Sequence, residues 1–302
     1  MKINELINKL EQEIKVTQNQ HDQALSLARL KDIAKVYEGE DEVISFDDIK
    51  HRILTAPDEL KIMSGWEGLD NLLKGFRLQQ LVVVSALTKS GKTSFLMDLT
   101  TRIRDHHPMW FPFEESAEEL IRKFIEYGQE PPQAFTPKSI TDNKVQWLET
   151  KIVESIAKYG TKVVFIDQLD FIIPYNGDNH SLRVAQTMRD LKHIAKKWNV
   201  VIFLICHLVK TKMSEQPTLE DLRGSSAIGQ EADTVILLWR EMKKEGGQVI
   251  ITDNVNVSVQ ANRRTGKTGN VKMVYDRGRF IEQEWKSEKE EEAESDKKYK
   301  DY

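Results

Sequence analysis

An α/β fold organised on a mainly parallel sheet is what this sequence predicts, and three observations predict it. From Met63 onward, short apolar runs alternate with amphipathic stretches, the pattern of parallel strands joined by crossover helices. One such run, Leu81–Ser85, enters a small-residue loop that closes on Gly91-Lys92-Thr93 and continues as a helical pattern. Past Val255 the apolar period changes to two, so antiparallel strands should finish the sheet.

The elements follow in order. Within residues 1–43, Ile3, Leu6, Ile7, Leu10 and Ile14 repeat at helical spacing, as do Leu27, Leu30, Ala34 and Tyr37, without an intervening Gly or Pro. This segment reads as a small helical hairpin or as an arm for a partner. Gly39-Glu40-Asp41-Glu42 reads as a hinge. Residues 44–62 open on Ser45-Phe46-Asp47-Asp48, a capping-box arrangement with Asp in place of Glu. Phe46, Ile49 and Ile53 then give a narrow apolar edge, to be covered either by the same subunit or by a neighbour. Residues 63–285 form the core. Its strand candidates are Leu81–Ser85, Met109–Phe113, Val163–Ile166, Val200–Cys206 and Thr234–Trp239; its helices are Ala117–Tyr127, Val145–Tyr159 and Leu182–Trp198. Residues 286–302 are Lys, Glu, Asp and Ser with almost no apolar content, a composition unable to bury enough surface to fold.

Composition narrows the class. The net charge of −4 carries no global basic signature for nucleic acid, although a local basic lining would suffice for binding. A single cysteine, Cys206 in an apolar run, excludes a disulfide framework and a cysteine zinc site. No apolar run reaches the length of a membrane span, and the acid-containing start Met1-Lys2-Ile3-Asn4-Glu5 resembles neither a secretory nor a transit segment. A cytoplasmic protein without membrane contact is expected.

The segment Ala86-Leu87-Thr88-Lys89-Ser90-Gly91-Lys92-Thr93-Ser94 has the strand–loop–helix context of a phosphate-binding loop, with Ala86 in place of the usual first glycine. Backbone N–H groups of such a loop wrap a β-phosphate at the positive end of the following helix. Lys92 would reach the β- and γ-phosphates, and the Thr93 hydroxyl would take one position on Mg²⁺. The same regular expression fires again at Ala261-Asn262-Arg263-Arg264-Thr265-Gly266-Lys267-Thr268. There both flanks alternate with period two, so that copy reads as a hairpin turn.

Two further apolar strands end in acids. Val163-Val164-Phe165-Ile166-Asp167 delivers a carboxylate beside the loop, where it could hold Mg²⁺ through water; Asp170 is the alternate. Trp110-Phe111-Pro112-Phe113 ends in Glu114, a candidate for orienting or deprotonating water. Glu115 is adjacent, and the acids of Ser116-Ala117-Glu118-Glu119 could simply answer a helix dipole.

The order Ser64-Gly65-Trp66-Glu67-Gly68-Leu69-Asp70, phosphate loop, Phe113-Glu114, Ile166-Asp167, His207, Asp221-Leu222-Arg223-Gly224-Ser225 with Gln230, and Arg263 resembles the hexameric replicative DNA helicases with a RecA-type core. DnaB is one branch; the nearer likeness is to mitochondrial Twinkle and the helicase half of phage primase-helicases. The resemblance covers about residues 44 to 285, with nothing corresponding to a primase. It implies a RecA-like core and a ring, most simply a homohexamer, that burns ATP or dTTP with Mg²⁺. The ring would move 5′-to-3′ along single-stranded DNA and open forked duplex.

Within that resemblance Glu114 is the catalytic glutamate, His207 the γ-phosphate sensor, and Arg263 the arginine finger given to the neighbouring nucleotide. Arg264 is a rival, since the DnaB branch places its finger one residue nearer the glycine. The family's lysine two residues before the finger is Ala261 here, with Lys267 nearby. Arg240 and Tyr275 correspond to residues that sandwich the base. Lys210 and Lys212 on one loop, and Arg223, Gly224 and Ser225 on another, would face the pore and hold DNA phosphates with little base readout. Primase, a polymerase or a single-strand binding protein are implied partners. Rival readings of the same core are a recombination or annealing ATPase and a nucleotide-switched helicase loader.

Overall fold

The computed structural model describes residues 3–15, 20–38, 44–56, 59–87, 90–174, 179–208, 216–222, 225–245 and 248–283. The charged tail predicted for residues 286–302 lies outside them.

Three helices come first: α1 (Ile3–Lys15), α2 (Gln20–Glu38) and α3 (Phe46–Thr55). A small antiparallel pair, β1 (Lys61–Ile62) with β2 (Phe76–Arg77), brackets the short helix α4 (Glu67–Leu73). The core follows as β3 (Leu81–Ala86), α5 (Lys92–Arg102), β4 (Met109–Pro112), α6 (Ala117–Glu126), α7 (Val145–Tyr159), β5 (Val163–Asp167), α8 (Leu169–Ile172), α9 (His180–Lys197) and β6 (Val201–His207). It closes with α10 (Ser225–Glu231), β7 (Thr234–Glu245), β8 (Gln248–Asn262), β9 (Gly269–Asp276) and β10 (Arg279–Glu282).

Eight strands form one sheet in the order β10-β9-β8-β7-β3-β6-β5-β4. The five from β7 to β4 are parallel, and β8, β9 and β10 add antiparallel to the β7 side. The mainly parallel sheet with an antiparallel finish is thus as expected. Strands covered on both faces must be apolar at every position, and β3, β4 and β5 are buried throughout. Leu81 and Val83 of β3 face a layer formed by α7, α9, α10 and the N-terminal helices, whereas Val82, Val84 and Ala86 face α4, α5 and α6. Stacked Trp110, Phe165 and Phe203 thread the second layer at centroid spacings of 4.7 and 5.1 Å.

Helix ends follow local chemistry. Ser116 and Glu119 form a reciprocal capping box at the start of α6, as Ser45 and Asp48 do at α3. Helix α7 stops at Gly160, whose φ of 73° is left-handed.

Three expectations needed resolving or correcting. The N-terminal helices pack on their own subunit: Leu6, Leu10, Ile14, Leu30 and Ile33 join the apolar cluster of α7, and Lys158 pairs with Glu13 at 2.8 Å. Helix α3 is the opposite case. None of its residues is buried, and Phe46, Ile53 and Leu54 are 89%, 70% and 73% exposed. Strand β7 runs six residues past Trp239, and β8 begins before Val255. The extension Arg240-Glu241-Met242-Lys243-Lys244-Glu245 is too charged to show an apolar period, and it is held as strand by pairing with β8.

Candidate active site

Parallel register decides which residues meet. Ala86 pairs with His207, Ile166 with Leu204, and Pro112 with Asp167, so the ends of β3, β6, β5 and β4 share one edge of the sheet. At that edge the chain leaves Ala86 and turns, with the Ser90 N–H donating to the Leu87 carbonyl at 3.1 Å. Gly91 then caps α5 at φ 89° and ψ 24°, a conformation costly for any residue bearing a Cβ. Thr88 and Lys89 lie outside the described residues; Leu87, Ser90, Thr93 and Ser94 are half-buried.

Lys92 is only 8% exposed, and its Nζ lies 3.5 Å from the Ala86 carbonyl. Burial pushes its ammonium below the usual lysine range, opposed by the charges of Asp167 and Glu114. The Thr93 hydroxyl donates to Asp167 Oδ2 at 2.8 Å. Asp167 Oδ1 is buried and, among the described residues, has no hydrogen-bond partner. Burial pushes this carboxyl up to about 6; the Thr93 bond opposes that shift and the Glu114 charge adds to it. An orphaned buried carboxylate oxygen, a neighbouring hydroxyl and a facing lysine fit a divalent cation together with a phosphate-bearing ligand. The Thr93 bond distinguishes Asp167 from the alternate, Asp170, which lies in α8.

Glu114 is exposed beside this cluster. Its N–H and that of Phe113 both donate to the Asp167 carbonyl, at 3.2 and 2.7 Å, which fixes where the side chain starts. The neighbouring acids have other duties: Glu115 pairs with Lys123, and Glu119 caps Ser116. His207 is half-buried at the end of β6. Cys206 is fully buried, which drives its thiol far above the usual range.

On the β10 side, the Arg240 guanidinium carbon lies 5.2 Å from the Tyr275 ring centroid, with the guanidinium held by the Thr252 carbonyl at 2.9 Å and Asp253 at 2.8 Å. Phe280 meets Tyr275 and Phe95 edge-on, each at 5.3 Å, and a methyl group added to Gly91 would stand 3.6 Å from its ring. Phe280 thereby links the Arg240–Tyr275 pair to the phosphate loop. Tyr127, whose hydroxyl accepts from that of Tyr275 at 3.2 Å, completes this corner. Sequence reasoning missed both Phe280 and Tyr127, since neither sits in a local motif.

Arg263 stands elsewhere. In β8, Asn262 is opposite Thr234, at the start of β7, which runs parallel to β3. The β8–β9 turn therefore hangs at the sheet edge where β3 begins, while the phosphate loop is where β3 ends. The six residues of β3 separate the two edges by about 20 Å. The second Gly-Lys-Thr match is this turn between two strands, as its flanks predicted. The Arg263 side chain is exposed and, among the described residues, makes no hydrogen bond or ion pair; its N–H donates to the Asp233 carbonyl at 2.9 Å. The Arg264 side chain points inward, to the carbonyls of Leu73 and Gly75.

Of the residues expected at DNA, Lys210, Lys212, Arg223 and Gly224 lie outside the described residues, and Ser225 opens α10. The two segments spring from one point, because Leu208 and Leu222 form an antiparallel bridge.

Comparison with known proteins adds independent information. A family model described as the DnaB-like helicase C terminal domain matches residues 61–151 and 135–281. A probable replicative DNA helicase of Trieres chinensis is 25% identical over 259 residues, covering 71% of this chain and 55% of the relative. The replicative DNA helicase DnaC of Bacillus subtilis is 24% identical over 271 residues, covering 77% and 58%. The chain thus spans little more than half the length of these curated relatives. Among solved structures, a DnaB-like replicative helicase, described with its interactions with primase, superposes with a TM-score of 0.67 at 20% identity, covering 93% of this chain and 76% of that one. A solved isolated ATPase domain gives 0.67 at 21% identity and covers 80% and 100%. The fold is that of these RecA-like ATPase domains.

Proposed function

Because the chain belongs to the DnaB-like helicase C-terminal domain family, we propose that it is an ATP-hydrolysing DNA helicase working as a ring, most simply a homohexamer, on single-stranded and forked DNA. The observation that carries this reading is the separation of the two half-sites. Lys92, Thr93, Asp167, Glu114 and His207 converge at one sheet edge, while Arg263 is presented at the other, too far to serve its own Lys92. A chain built this way completes a nucleotide site only against another copy.

In the assembled site the loop amides and Lys92 hold the triphosphate, and Arg240 and Tyr275 flank its base. Thr93 and Asp167 would hold Mg²⁺, which would supply charge neutralisation for the triphosphate. Glu114 orients the attacking water and receives its proton. His207 hydrogen-bonds the γ-phosphate and passes its loss to the segment directly after β6, which carries Lys210 and Lys212. The neighbour's Arg263 stabilises charge in the transition state, an effect worth about 10³–10⁵ in rate in other nucleoside triphosphatases.

The uncovered edge of α3 suits it as a strap onto the adjacent copy. Movement along DNA follows from docking changes at each boundary, with Lys210, Lys212, Arg223, Gly224 and Ser225 on the strand. Polarity of 5′-to-3′, use of dTTP as well as ATP, a cytoplasmic setting, and contacts with primase, a polymerase or a single-strand binding protein belong to the same reading.

The test is a mass measurement with and without nucleotide and DNA, paired with unwinding of a forked duplex. A closed oligomer with DNA-stimulated hydrolysis and strand separation is expected. A strictly monomeric protein hydrolysing ATP at full rate would overturn the proposal.

A further inference from the structure

The β8–β9 turn carries two adjacent arginines whose surroundings differ completely. Helix α4 ends in a left-handed corner, Lys74 at φ 57° and Gly75 at φ 74°. That leaves the carbonyls of its last turn without intrahelical donors, at the negative end of the helix dipole. Donors from the turn meet them. Arg264 gives its guanidinium to the Leu73 carbonyl and, at 3.2 Å, to that of Gly75. Asn262 Nδ2 donates to the Leu72 carbonyl at 3.3 Å, and the Thr265 hydroxyl to the same oxygen at 3.4 Å.

Asn262 also organises the turn from within. It is 6% exposed, its Oδ1 accepts from the N–H groups of Arg264 and Thr265 at 3.2 and 3.3 Å, and its Nδ2 donates to Thr265 Oγ1 at 2.6 Å. At the start of β9, a Cβ on Gly269 would stand 3.0 Å from Leu72 Cδ2, so the hairpin lies against α4 with no room to spare. Arg263, between these anchors, is left pointing to solvent.

We propose that Arg264 and Asn262 are positioning residues that rivet the turn to the C-terminus of α4 and so aim Arg263 at the neighbouring copy's nucleotide, and that Arg264 never touches nucleotide. This rests on the reading of Arg263 as the group acting across the subunit boundary. A finger stabilises charge only where it is preorganised, and a misplacement of about 1 Å can cost on the order of 10²-fold in rate. A guanidinium spent on two carbonyls of its own subunit is unavailable to a phosphate. It is well suited to holding the loop from which its neighbour projects. Burial, helped by the like charge of Arg77, also pushes the Arg264 guanidinium below its ordinary value, as expected of a group turned inward.

The experiment compares Arg263→Ala, Arg264→Ala, Arg263→Lys and Arg264→Lys in the full chain, by steady-state ATP hydrolysis and by amide exchange over residues 262–269 without nucleotide. Arg264→Ala should lower kcat about 10- to 100-fold, leave KM for ATP within about twofold, and speed exchange of the Arg264, Thr265 and Gly266 amides. Arg264→Lys, still able to donate to both carbonyls, should recover most of kcat. Arg263→Ala should lower kcat by about 10³ or more with exchange unchanged, and Arg263→Lys should not rescue it, because a single ammonium lacks the planar fork. If Arg264→Ala abolishes turnover without loosening the turn, or leaves turnover intact while Arg263→Ala abolishes it, the positioning role is overturned and the boundary reading stands. Normal turnover by Arg263→Ala would instead overturn the boundary reading itself.

Discussion

The two ends of the central sheet are built by different rules. At the end where β3 stops, Ala86, His207 and Asp167 each end an apolar strand and parallel register brings them together, while Glu114, just past β4, is held to the Asp167 carbonyl. At the end where β3 starts, the β8–β9 turn holds its shape through contacts to α4, which lies some 190 residues earlier in the chain. The first end gathers buried Lys92 and Asp167 around the Thr93 hydroxyl; the second presents an exposed guanidinium on a braced loop. On the proposed reading neither is a complete site, and no bending of one subunit across about 20 Å of sheet would join them.

The two ends can be disabled in separate chains. Lys92→Ala and Arg263→Ala should each reduce hydrolysis by about 10³-fold or more, since one removes phosphate binding and the other transition-state charge stabilisation. Mixed in equal amounts, the two variants create boundaries where an intact phosphate loop faces an intact Arg263. Random assembly makes up to about a quarter of boundaries competent, and activity should return in that proportion. Two dead variants that stay dead on mixing, although shown to co-assemble, would mean the ends do not cooperate.

The same contrast explains what could be read in advance. The grouping of Lys92, Asp167 and Glu114 at one sheet edge was legible because strand, loop and helix follow one another in sequence and the acids come at or just past the strand ends. The choice between Glu114 and Glu115 needed the Lys123 ion pair, eight residues on in the next helix. Arg263 and Arg264 were indistinguishable in sequence, because the carbonyls that capture one of them belong to α4. Ala261, where the resemblance would place a lysine, is half-buried against the apolar cluster, and Lys267 is exposed on the turn. Helix α3 was legible as an amphipathic edge, yet none of its residues is buried among the described residues. Phe280 and Tyr127 carried no signal, because their importance comes from rings brought together by the sheet.

A smaller effect tests how strongly the phosphate end is strained before ligand arrives. Asp167 titrates at about 6 in the folded protein against an ordinary value of 3.8, so the folded state holds more protons between those values. The sign follows: stability is greatest below the unfolded pKa and is lost as pH rises through about 6. The buried charge costs on the order of 3 kcal/mol above that point. Asp167→Asn should therefore melt several degrees above the wild type at pH 8 in the absence of nucleotide and divalent cations, and at the same temperature near pH 3.5. An advantage that does not depend on pH would show that the carboxylate's burial is not its source. No comparable stabilisation is expected from Arg263→Ala, whose side chain is already in water.

The smallest effect concerns the corner joining the phosphate end to β10. Arg240 lies 5.2 Å from the Tyr275 centroid, too close to admit a base, which needs about 3.5 Å on each face. On the proposed reading, a base seated between them would part the pair by about 2 Å, with the Asp253 ion pair and the Tyr127 hydroxyl bond setting how far each side can yield. Stacking on an aromatic ring is worth about 1–3 kcal/mol per base, some of it offset here by the lost cation–π contact. Tyr275→Ala should accordingly raise KM for ATP about tenfold while kcat changes little, because the base is remote from the bond being broken. Tyr275→Phe keeps the ring and loses only the bond to Tyr127, so its KM should move less than about twofold. Steady-state kinetics with ATP and with dTTP check both. A fall in kcat with KM unchanged in Tyr275→Ala would move this ring from base recognition to bracing Phe280 against the phosphate loop.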